Sequence, residues 1–280
     1  MQTTAAIQEL RAAIKTWRQA GARIAFVPTM GNLHEGHLQL VRRARDRAER
    51  VVVSIFVNPM QFGPGEDFSR YPRTPQDDQD SLVAEGVDMV FMPSIDTIYA
   101  RGTQDATRVE VPGVSEGLCG DHRPGHFTGV ATVVACLFNL VQPDVAIFGE
   151  KDYQQLAVIR RMVEDLCWPI EIEGVATVRE ADGLAMSSRN RYLTAAQRER
   201  APLLYQTLCL VAERLRGGNC AYAELEAEAM KRLEQAGFVP EYVAIRNADS
   251  LGPPDCGENA RVILVAARLG ATRLIDNLRV

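Results

Sequence analysis

The chain lacks the sequence features that mark several large classes of protein. No block of lysine and arginine is present that would follow a phosphate backbone, and the formal net charge is −5 over 280 residues. The most basic stretch, Arg42 to Arg50, interleaves acids and alanines and is typical of the solvated face of a helix. We therefore expect no nucleic-acid partner.

Cysteine motifs are missing as well. No two cysteines form a C-x-x-C pair, and none combines with histidines in a complete zinc-site pattern. Several fall in apolar runs, which favours reduced, buried thiols in a cytosolic protein. The six residues are Cys119, Cys136, Cys167, Cys209, Cys220 and Cys256.

Long hydrophobic runs are absent too. The longest apolar stretch, Gly129 to Val141, is too short to span a bilayer and contains Asn139. The first ten residues show no basic-then-apolar signal pattern. With 46% hydrophobic and 24% charged residues, the composition is that of an ordinary globular protein. We expect a soluble cytoplasmic protein without a membrane partner.

The first part of the chain alternates helical and strand-like patterns. Helices are predicted at 7–20, 36–50, 76–85, 127–141 and 152–166, and strands at 23–28, 51–57, 87–92, 145–148 and 170–172. Strands that alternate with helices favour βαβ units and a parallel sheet. The predicted class is α/β, with a Rossmann-like sheet domain over residues 1–178.

The pattern changes after residue 179. Two alanine-rich helices are predicted at 195–215 and 221–236, followed by strands at 242–246, 261–267 and 272–277. This order indicates a smaller α+β C-terminal domain over residues 179–280, which we expect to act as a lid.

The segment from Pro28 to His37 joins the first strand of the predicted sheet to a helix. Ligands of open parallel sheets bind beyond the carboxyl ends of strands, and a helix that begins there offers free N–H groups to phosphates. His34 and His37 lie three residues apart and share one side of the first turn. Gly36 would let a nucleotide approach the backbone. A zinc site is the alternative, with Glu35 and two later histidines as further ligands.

Three later segments carry polar residues that suit the same ligand. Gln61 follows the second predicted strand, and its neutral amide can orient a carboxylate without cancelling its charge. In the segment from Gly149 to Asp152, the glycine permits close approach of a ligand, Lys151 supplies a cation, and Asp152 either binds a ribose hydroxyl or caps the helix. Gln155 is expected on the inner side of the first helical turn. Met186 to Arg189 combines hydroxyls with a guanidinium that can pair with phosphates. Separately, each also fits a polar turn, a helix cap or a linker.

The loop from Gly120 to Phe127 places two histidines and an arginine just before a long helix. Arg123 and His126 either contact substrate or organise the site. The role of His122 stays open at this level.

Together these motifs resemble the HIGH and KMSKS signatures of a nucleotidyltransferase superfamily. Pro28 to His37, Phe56 to Thr74, Phe148 to Leu156 and Val178 to Leu193 are similar to the pantothenate synthetase (pantoate–β-alanine ligase) family over nearly the whole chain. That resemblance implies condensation of (R)-pantoate with β-alanine through a pantoyl-adenylate, with release of AMP and diphosphate. It also implies ATP as a substrate, Mg²⁺ as a cofactor and a homodimer.

The resemblance assigns roles to individual residues. His37, His34, Lys151 and Arg189 would be catalytic, with His37 as proton donor and the set sharing charge on the leaving diphosphate. Gln61 and Gln155 would hold pantoate, and Gln61 also β-alanine. An apolar wall of Phe62, Val133 and Val134 is expected around pantoate's methyl groups. The predicted ATP site comprises Met30, Gly31, Asn32, Leu33, His34, Glu35, Gly36, His37, Gly149, Glu150, Lys151, Asp152, Val178, Met186, Ser187, Ser188 and Arg189.

Three other functions use part of the same pattern. An adenylyltransferase that keeps AMP on its product would share the histidine turn. A fragment of an aminoacyl-tRNA synthetase would need a tRNA-binding domain, and the acidic chain shows no obvious one. A non-catalytic nucleotide sensor would leave both glutamines unexplained.

Overall fold

The computed structural model describes residues 1–257 and 260–280. Its N-terminal part is a parallel sheet with strand order β1-β4-β3-β2-β5-β6. The strands are β1 (Gln2–Thr4), β2 (Ile24–Thr29), β3 (Arg50–Ile55), β4 (Met89–Phe91), β5 (Val145–Gly149) and β6 (Glu171–Val175). Since β3 and β5 flank β2 on opposite sides, the order of the strands reverses at β2. A crevice at such a point is the usual ligand site of an open α/β sheet.

Helices cover both faces of this sheet. They are α1 (Ile7–Gln19), α2 (Glu35–Arg47), α3 (Pro75–Ala84), α4 (Ile95–Ile98), α5 (Cys119–His122), α6 (His126–Val141) and α7 (Tyr153–Asp165). Phe26 packs with α1, α6 and α7, whereas its neighbours Ala25 and Val27 pack with α2 and α3. Burial on both faces explains the continuous apolar run at Val51 to Val53.

The C-terminal part has its own core. Helices α8 (Ala195–Arg200), α9 (Leu203–Arg216) and α10 (Tyr222–Gln235) accompany an antiparallel sheet of β7 (Val239–Asn247), β8 (Arg261–Leu269) and β9 (Thr272–Arg279). Leu208 and Leu233 pack there against Ile245 and Ile263. The predicted α/β class with a smaller α+β part is confirmed. That this part acts as a lid stays a prediction.

Several elements differ from the sequence-based prediction, including the short helices α4 and α5, which were not predicted. Strand β1 was not predicted, because three residues carry too little periodicity; it pairs in parallel with β4 at the sheet edge. The helix predicted at 195–215 is two helices, α8 and α9, separated at Ala201 and Pro202. Proline lacks the N–H that a continuous helix needs, so the helical hydrogen bonding is interrupted there.

The expectation of six reduced, buried thiols is wrong. Cys220 and Cys256 form a disulfide with a Cα–Cα distance of 5.5 Å, and Cys167 is exposed. Cys220 lies just before α10 and Cys256 between β7 and β8, 36 residues away. Only the packing of α10 against the sheet brings them together. No helix in the described residues is long and apolar enough to cross a membrane.

Candidate active site

A cleft of about 230 Å³ opens at the carboxyl ends of β2, β3 and β5, where the strand order reverses. Four predicted segments contribute to its lining: the histidine turn after β2, Gln61 after β3, the turn after β5, and the loop at 186–189. The predicted site residues that line it are Met30, His34, Gly36, His37, Gln61, Gly149, Lys151, Asp152, Gln155, Val178, Met186, Ser187, Ser188 and Arg189. Phe62, Val133 and Val134 of the predicted apolar wall line the same cleft.

The other predicted residues of the ATP site do not appear in that lining, which is formed by described residues throughout. Gly31 adopts a φ of +77° in the turn after β2, a conformation that favours glycine. Leu33 packs against the apolar core between the sheet and α2. Glu35 accepts hydrogen bonds from Arg42 and from Gln39 at 2.8 Å. Asn32 and Glu150 contribute backbone carbonyls to contacts with other segments, Asn32 to Ser188 and Glu150 to the C-terminal sheet.

A buried carboxylate holds the turn that precedes the histidines. Asp78, on α3, is 2% exposed, and it accepts hydrogen bonds from the backbone N–H groups of Asn32 at 2.9 Å and Leu33 at 2.8 Å. The hydroxyl of Thr74 adds a third at 3.2 Å. Asp78 was not predicted from the sequence, because it lies more than 40 residues beyond the turn that it holds.

The side chain of His34 caps the start of α2, and the side chain of His37 caps the backbone of His34. The Nδ1 atom of His34 accepts the backbone N–H of Gly36 at 3.1 Å, and the Nδ1 atom of His37 accepts that of His34 at 3.3 Å. Both rings therefore carry their hydrogen on Nε2 when neutral. A Cβ at Gly36 would lie 2.8 Å from the His34 ring, so glycine is needed for this cap as well as for any close approach of a ligand.

The cleft favours neutral imidazoles. Burial, followed by the nearby charge of Lys151, lowers the pKa of His34 to about 4. Burial, followed by the proximity of His34, lowers the pKa of His37 to about 3. With the cleft as it stands, both side chains are neutral hydrogen-bond donors at neutral pH rather than imidazolium ions. Bound phosphates would oppose these shifts, because a nearby negative charge favours protonation.

A chain of hydrogen bonds orients the amide of Gln61. The hydroxyl of Tyr99 donates to Asn58 Oδ1 at 2.8 Å, and Asn58 Nδ2 donates to Gln61 Oε1 at 3.1 Å. Asn58 also donates to the carbonyl of Gly129 at 3.0 Å, which fixes the direction of its amide. The donor end of Gln61 is thereby left toward the cleft, where its Nε2 contacts the sulfur of Met30 at 3.0 Å.

The neighbouring glutamines on α7 have different surroundings. Gln154 is 4% exposed, and its amide binds the backbone around Cys119. Gln155 is half-buried and lines the cleft. Gln155, the glutamine that was predicted to bind substrate, is therefore the one that lines the cleft.

The loop at 186–189 contacts both sides of the cleft's entrance. Ser188 Oγ donates to the carbonyl of Asn32 at 3.0 Å, in the turn after β2. Arg189 makes two hydrogen bonds of 2.9 Å to the carboxylate of Asp67, which lies between β3 and α3. These contacts connect the loop to the sheet domain, and Asp67 offsets the charge of Arg189 when no phosphate is present.

Arg123 and His126 line the cleft and both contact the backbone carbonyl of Gln61. Arg123 forms a two-pronged ion pair with Glu66 at 2.7 and 2.6 Å, and its guanidinium donates to His126 Nε2 at 2.9 Å. His126 Nδ1 then donates to the carbonyl of Gln61 at 2.8 Å. Burial, followed by the charge of Arg123, lowers the pKa of His126 to about 4. His122 instead packs beside Tyr242, with the rings tilted and their centroids 5.8 Å apart, and is not part of the cleft lining.

The family model of pantoate-beta-alanine ligases matches residues 2–279. The chain belongs to that family. The pantothenate synthetase of Pseudomonas paraeruginosa is 56% identical over 280 residues, which are 100% of this chain and 99% of the relative. That of Shewanella halifaxensis is 55% identical over 277 residues, covering 99% and 98%. The chain is accordingly a ligase that forms pantothenate from pantoate and β-alanine with ATP.

Solved structures agree with this assignment. The pantothenate synthetase of Thermus thermophilus superposes with a TM-score of 0.93 at 48% identity, covering 99% of each chain. A pantoate-beta-alanine ligase of Francisella tularensis, complexed with beta-gamma ATP and beta-alanine, gives a TM-score of 0.82 at 33% identity. The two chains are covered to 100% and 97%.

Proposed function

We propose that the ligase works in two steps within the one cleft. The carboxylate of (R)-pantoate attacks the α-phosphorus of ATP, which forms pantoyl-adenylate and releases diphosphate. The amine of β-alanine then attacks the acyl carbon and displaces AMP. The observation that carries this proposal is the meeting of the histidine turn, Gln61, Gln155 and Lys151 in a single cleft at the reversal of the strand order.

The chemistry of these side chains supports the first step. In-line attack at phosphorus depends mainly on positioning and on stabilisation of charge. The neutral amides of Gln61 and Gln155 would hold pantoate and leave its carboxylate anionic. Lys151 and Arg189 would stabilise the charge that develops on the leaving diphosphate.

The histidines would act as donors rather than as bases. With Nδ1 occupied by the helix cap, His34 and His37 have Nε2–H available for phosphate oxygens. We propose that His34 contacts phosphate and that His37 donates to the oxygen on which charge develops. As the diphosphate forms, its negative charge favours protonation of the nearby imidazoles.

The second step would use the same amide of Gln61, which we propose also holds β-alanine. The Francisella tularensis relative is complexed with beta-gamma ATP and beta-alanine, which supports a β-alanine site in this family member as well. Closure of the loop at 186–189 would keep water from the acyl-adenylate.

We propose Mg²⁺ as a cofactor that arrives with ATP. The described residues contain no group of three or more histidine, cysteine, aspartate or glutamate side chains that could hold a metal ion. Mg²⁺ commonly binds through substrate phosphates with one or two carboxylates. Asp152 fits this mode, because it lines the cleft and its side chain makes no helix-capping hydrogen bond. When bound, the ion would neutralise phosphate charge.

A homodimer remains part of the proposal, and light scattering tests it.

The decisive experiment separates the two steps. Exchange of labelled diphosphate into ATP is measured with pantoate and Mg²⁺ but without β-alanine, after which β-alanine is added and AMP and pantothenate are quantified. Exchange that depends on pantoate supports the adenylate. Free AMP excludes an adenylyltransferase that keeps AMP on its product, and any turnover excludes a nucleotide sensor. Absence of exchange would contradict the two-step route.

Variants test the assigned residues in the same assay. His37→Ala should lower turnover by orders of magnitude, whereas His122→Ala, outside the cleft lining, should stay near the parent. Gln155→Ala should raise the KM for pantoate more than that for ATP. Near-normal turnover of His37→Ala, or equal KM changes for Gln155→Ala, would remove the corresponding assignment.

A further inference from the structure

The C-terminal sheet makes direct contact with the turn that carries Lys151. The side-chain amide of Asn277, on β9, donates to the backbone carbonyl of Glu150 at 2.8 Å and to that of Lys151 at 3.0 Å. Asn277 is 6% exposed and lies more than 120 residues from this turn in the sequence. Both acceptors are carbonyls, so the amide must present its NH₂ group to them.

The turn itself has few local constraints. Glu150–Asp152 is a single 3-10 turn between β5 and α7, and the Asp152 side chain, at the N-cap of α7, makes no capping hydrogen bond. Gly149 precedes it, with open space where a Cβ would stand. The hydrogen bonds from Asn277 therefore constrain the backbone of Glu150 and Lys151 from outside the turn's own sequence neighbours.

Asn277 is held in place from its own side. The adjacent Asp276 is 3% exposed and pairs with Arg179 through two hydrogen bonds of 2.7 and 2.9 Å. Arg179 also donates to the carbonyl of Asn277 at 3.3 Å, and its guanidinium carbon lies 3.6 Å from the ring centroid of Tyr205. The side-chain amide of Asn277 therefore lies on a strand that these contacts hold in place.

We propose that Asn277 is a positioning residue for ATP, acting through the backbone of Glu150 and Lys151. It holds the turn so that Lys151 and Asp152 face the cleft, although it does not itself line the cleft. The proposal rests on the proposed ATP site, because it concerns how Lys151 and Asp152 are positioned within that site. It also makes the C-terminal part a component of the nucleotide site, since β9 cannot leave this turn without breaking both hydrogen bonds.

The test replaces Asn277 by alanine in the full-length protein and measures both substrates separately. Loss of two hydrogen bonds should raise the KM for ATP by up to about thirtyfold, because each such bond contributes of order 1 kcal/mol and 1.4 kcal/mol is a tenfold change. The KM for pantoate should change by less than about twofold. Asn277→Asp is a second variant of nearly the same shape; its carboxylate cannot donate to the carbonyls and is repelled by them, so the rise in the KM for ATP should be at least as large as in Asn277→Ala.

Thr207→Val is the matched control. Thr207 is 2% exposed and donates a 2.7 Å hydrogen bond within α9, so the variant also loses a buried hydrogen bond in the C-terminal part. It should lower thermal stability without changing either KM. Equal changes in both KM values of the Asn277 variants, or an unchanged KM for ATP, would overturn the proposal.

A binding readout separates this proposal from the reaction scheme. The rise in melting temperature caused by ATP with Mg²⁺, without pantoate, should be smaller in the Asn277 variants than in the parent and in Thr207→Val. An equal rise would overturn the role of Asn277. Failure of pantoate-dependent exchange in the parent would instead refute the proposed function and leave this measurement valid.

Discussion

Replacement of Asp78 by asparagine tests whether one buried carboxylate holds the turn before the histidines. Asp78 Oδ2 accepts from the N–H of Asn32, while Oδ1 accepts from that of Leu33 and from Thr74. An asparagine has the same shape but only one oxygen. In either orientation of the amide, therefore, an NH₂ group faces a backbone N–H.

The magnitude follows from these contacts. One hydrogen bond to a charged group contributes about 1.5–3 kcal/mol, and a buried donor left without an acceptor costs about 1–3 kcal/mol more. We expect Asp78→Asn to lower the free energy of unfolding by about 3 kcal/mol or more. For a chain of this size, that corresponds to a fall of roughly 6–12 °C in melting temperature.

The effect should extend to the nucleotide. If the turn loosens, the backbone before His34 is no longer held in place, and the positions of His34 and His37 become less fixed. The KM for ATP should therefore rise together with the loss of stability. Asp77→Asn is the matched control, because Asp77 is exposed on the same turn of α3 and carries the same charge. Both variants lose the helix-dipole contribution of one acid, about 0.3–1 kcal/mol, so their difference isolates the buried hydrogen bonds.

Urea unfolding and steady-state kinetics decide the question. The reasoning is refuted if Asp78→Asn lies within about 1 kcal/mol of Asp77→Asn and the two variants share one KM for ATP.

Three further expectations follow from other parts of the structure. Tyr99→Phe removes the first hydrogen bond of the chain that orients Gln61, so the KM for pantoate should rise by up to about tenfold; equal rises for ATP and pantoate would argue against it. The three histidines that line the cleft have lowered pKa values, so the unfolded state binds more protons than the folded state below about pH 6.5. The free energy of unfolding should therefore fall as the pH drops from about 6.5 toward 4, by at most about 1.4 kcal/mol per pH unit for each histidine. A flat pH profile in thermal unfolding would contradict this. Replacing Cys220 and Cys256 together by serine opens a 36-residue loop and should lower the free energy of unfolding by about 4 kcal/mol, because the unfolded chain gains entropy. Turnover at 25 °C should be unchanged. A variant as stable as the oxidised parent would refute the contribution of the disulfide.

The sequence was sufficient for features that depend on near neighbours. Val51 to Val53 is apolar at every position because the strand is covered on both faces, and the alternation of such strands with helices predicted the parallel sheet. The histidine turn, Gln61 and Gln155 each follow a strand closely, and the carboxyl ends of parallel strands lie at one edge. Their meeting in one cleft was therefore predictable. Their roles in the reaction stay predictions.

Only the tertiary structure decided which distant residues hold these segments. Asp78 binds the turn before the histidines, 45 residues away in the sequence. Asn277 binds the turn of Lys151, 126 residues away. Cys220 and Cys256 meet only because α10 packs beside the C-terminal sheet. Hydrophobic periodicity encodes which face of an element is buried, but a polar contact between loops depends on strand order and helix packing. Those are properties of the whole fold, and no local pattern in the chain records them.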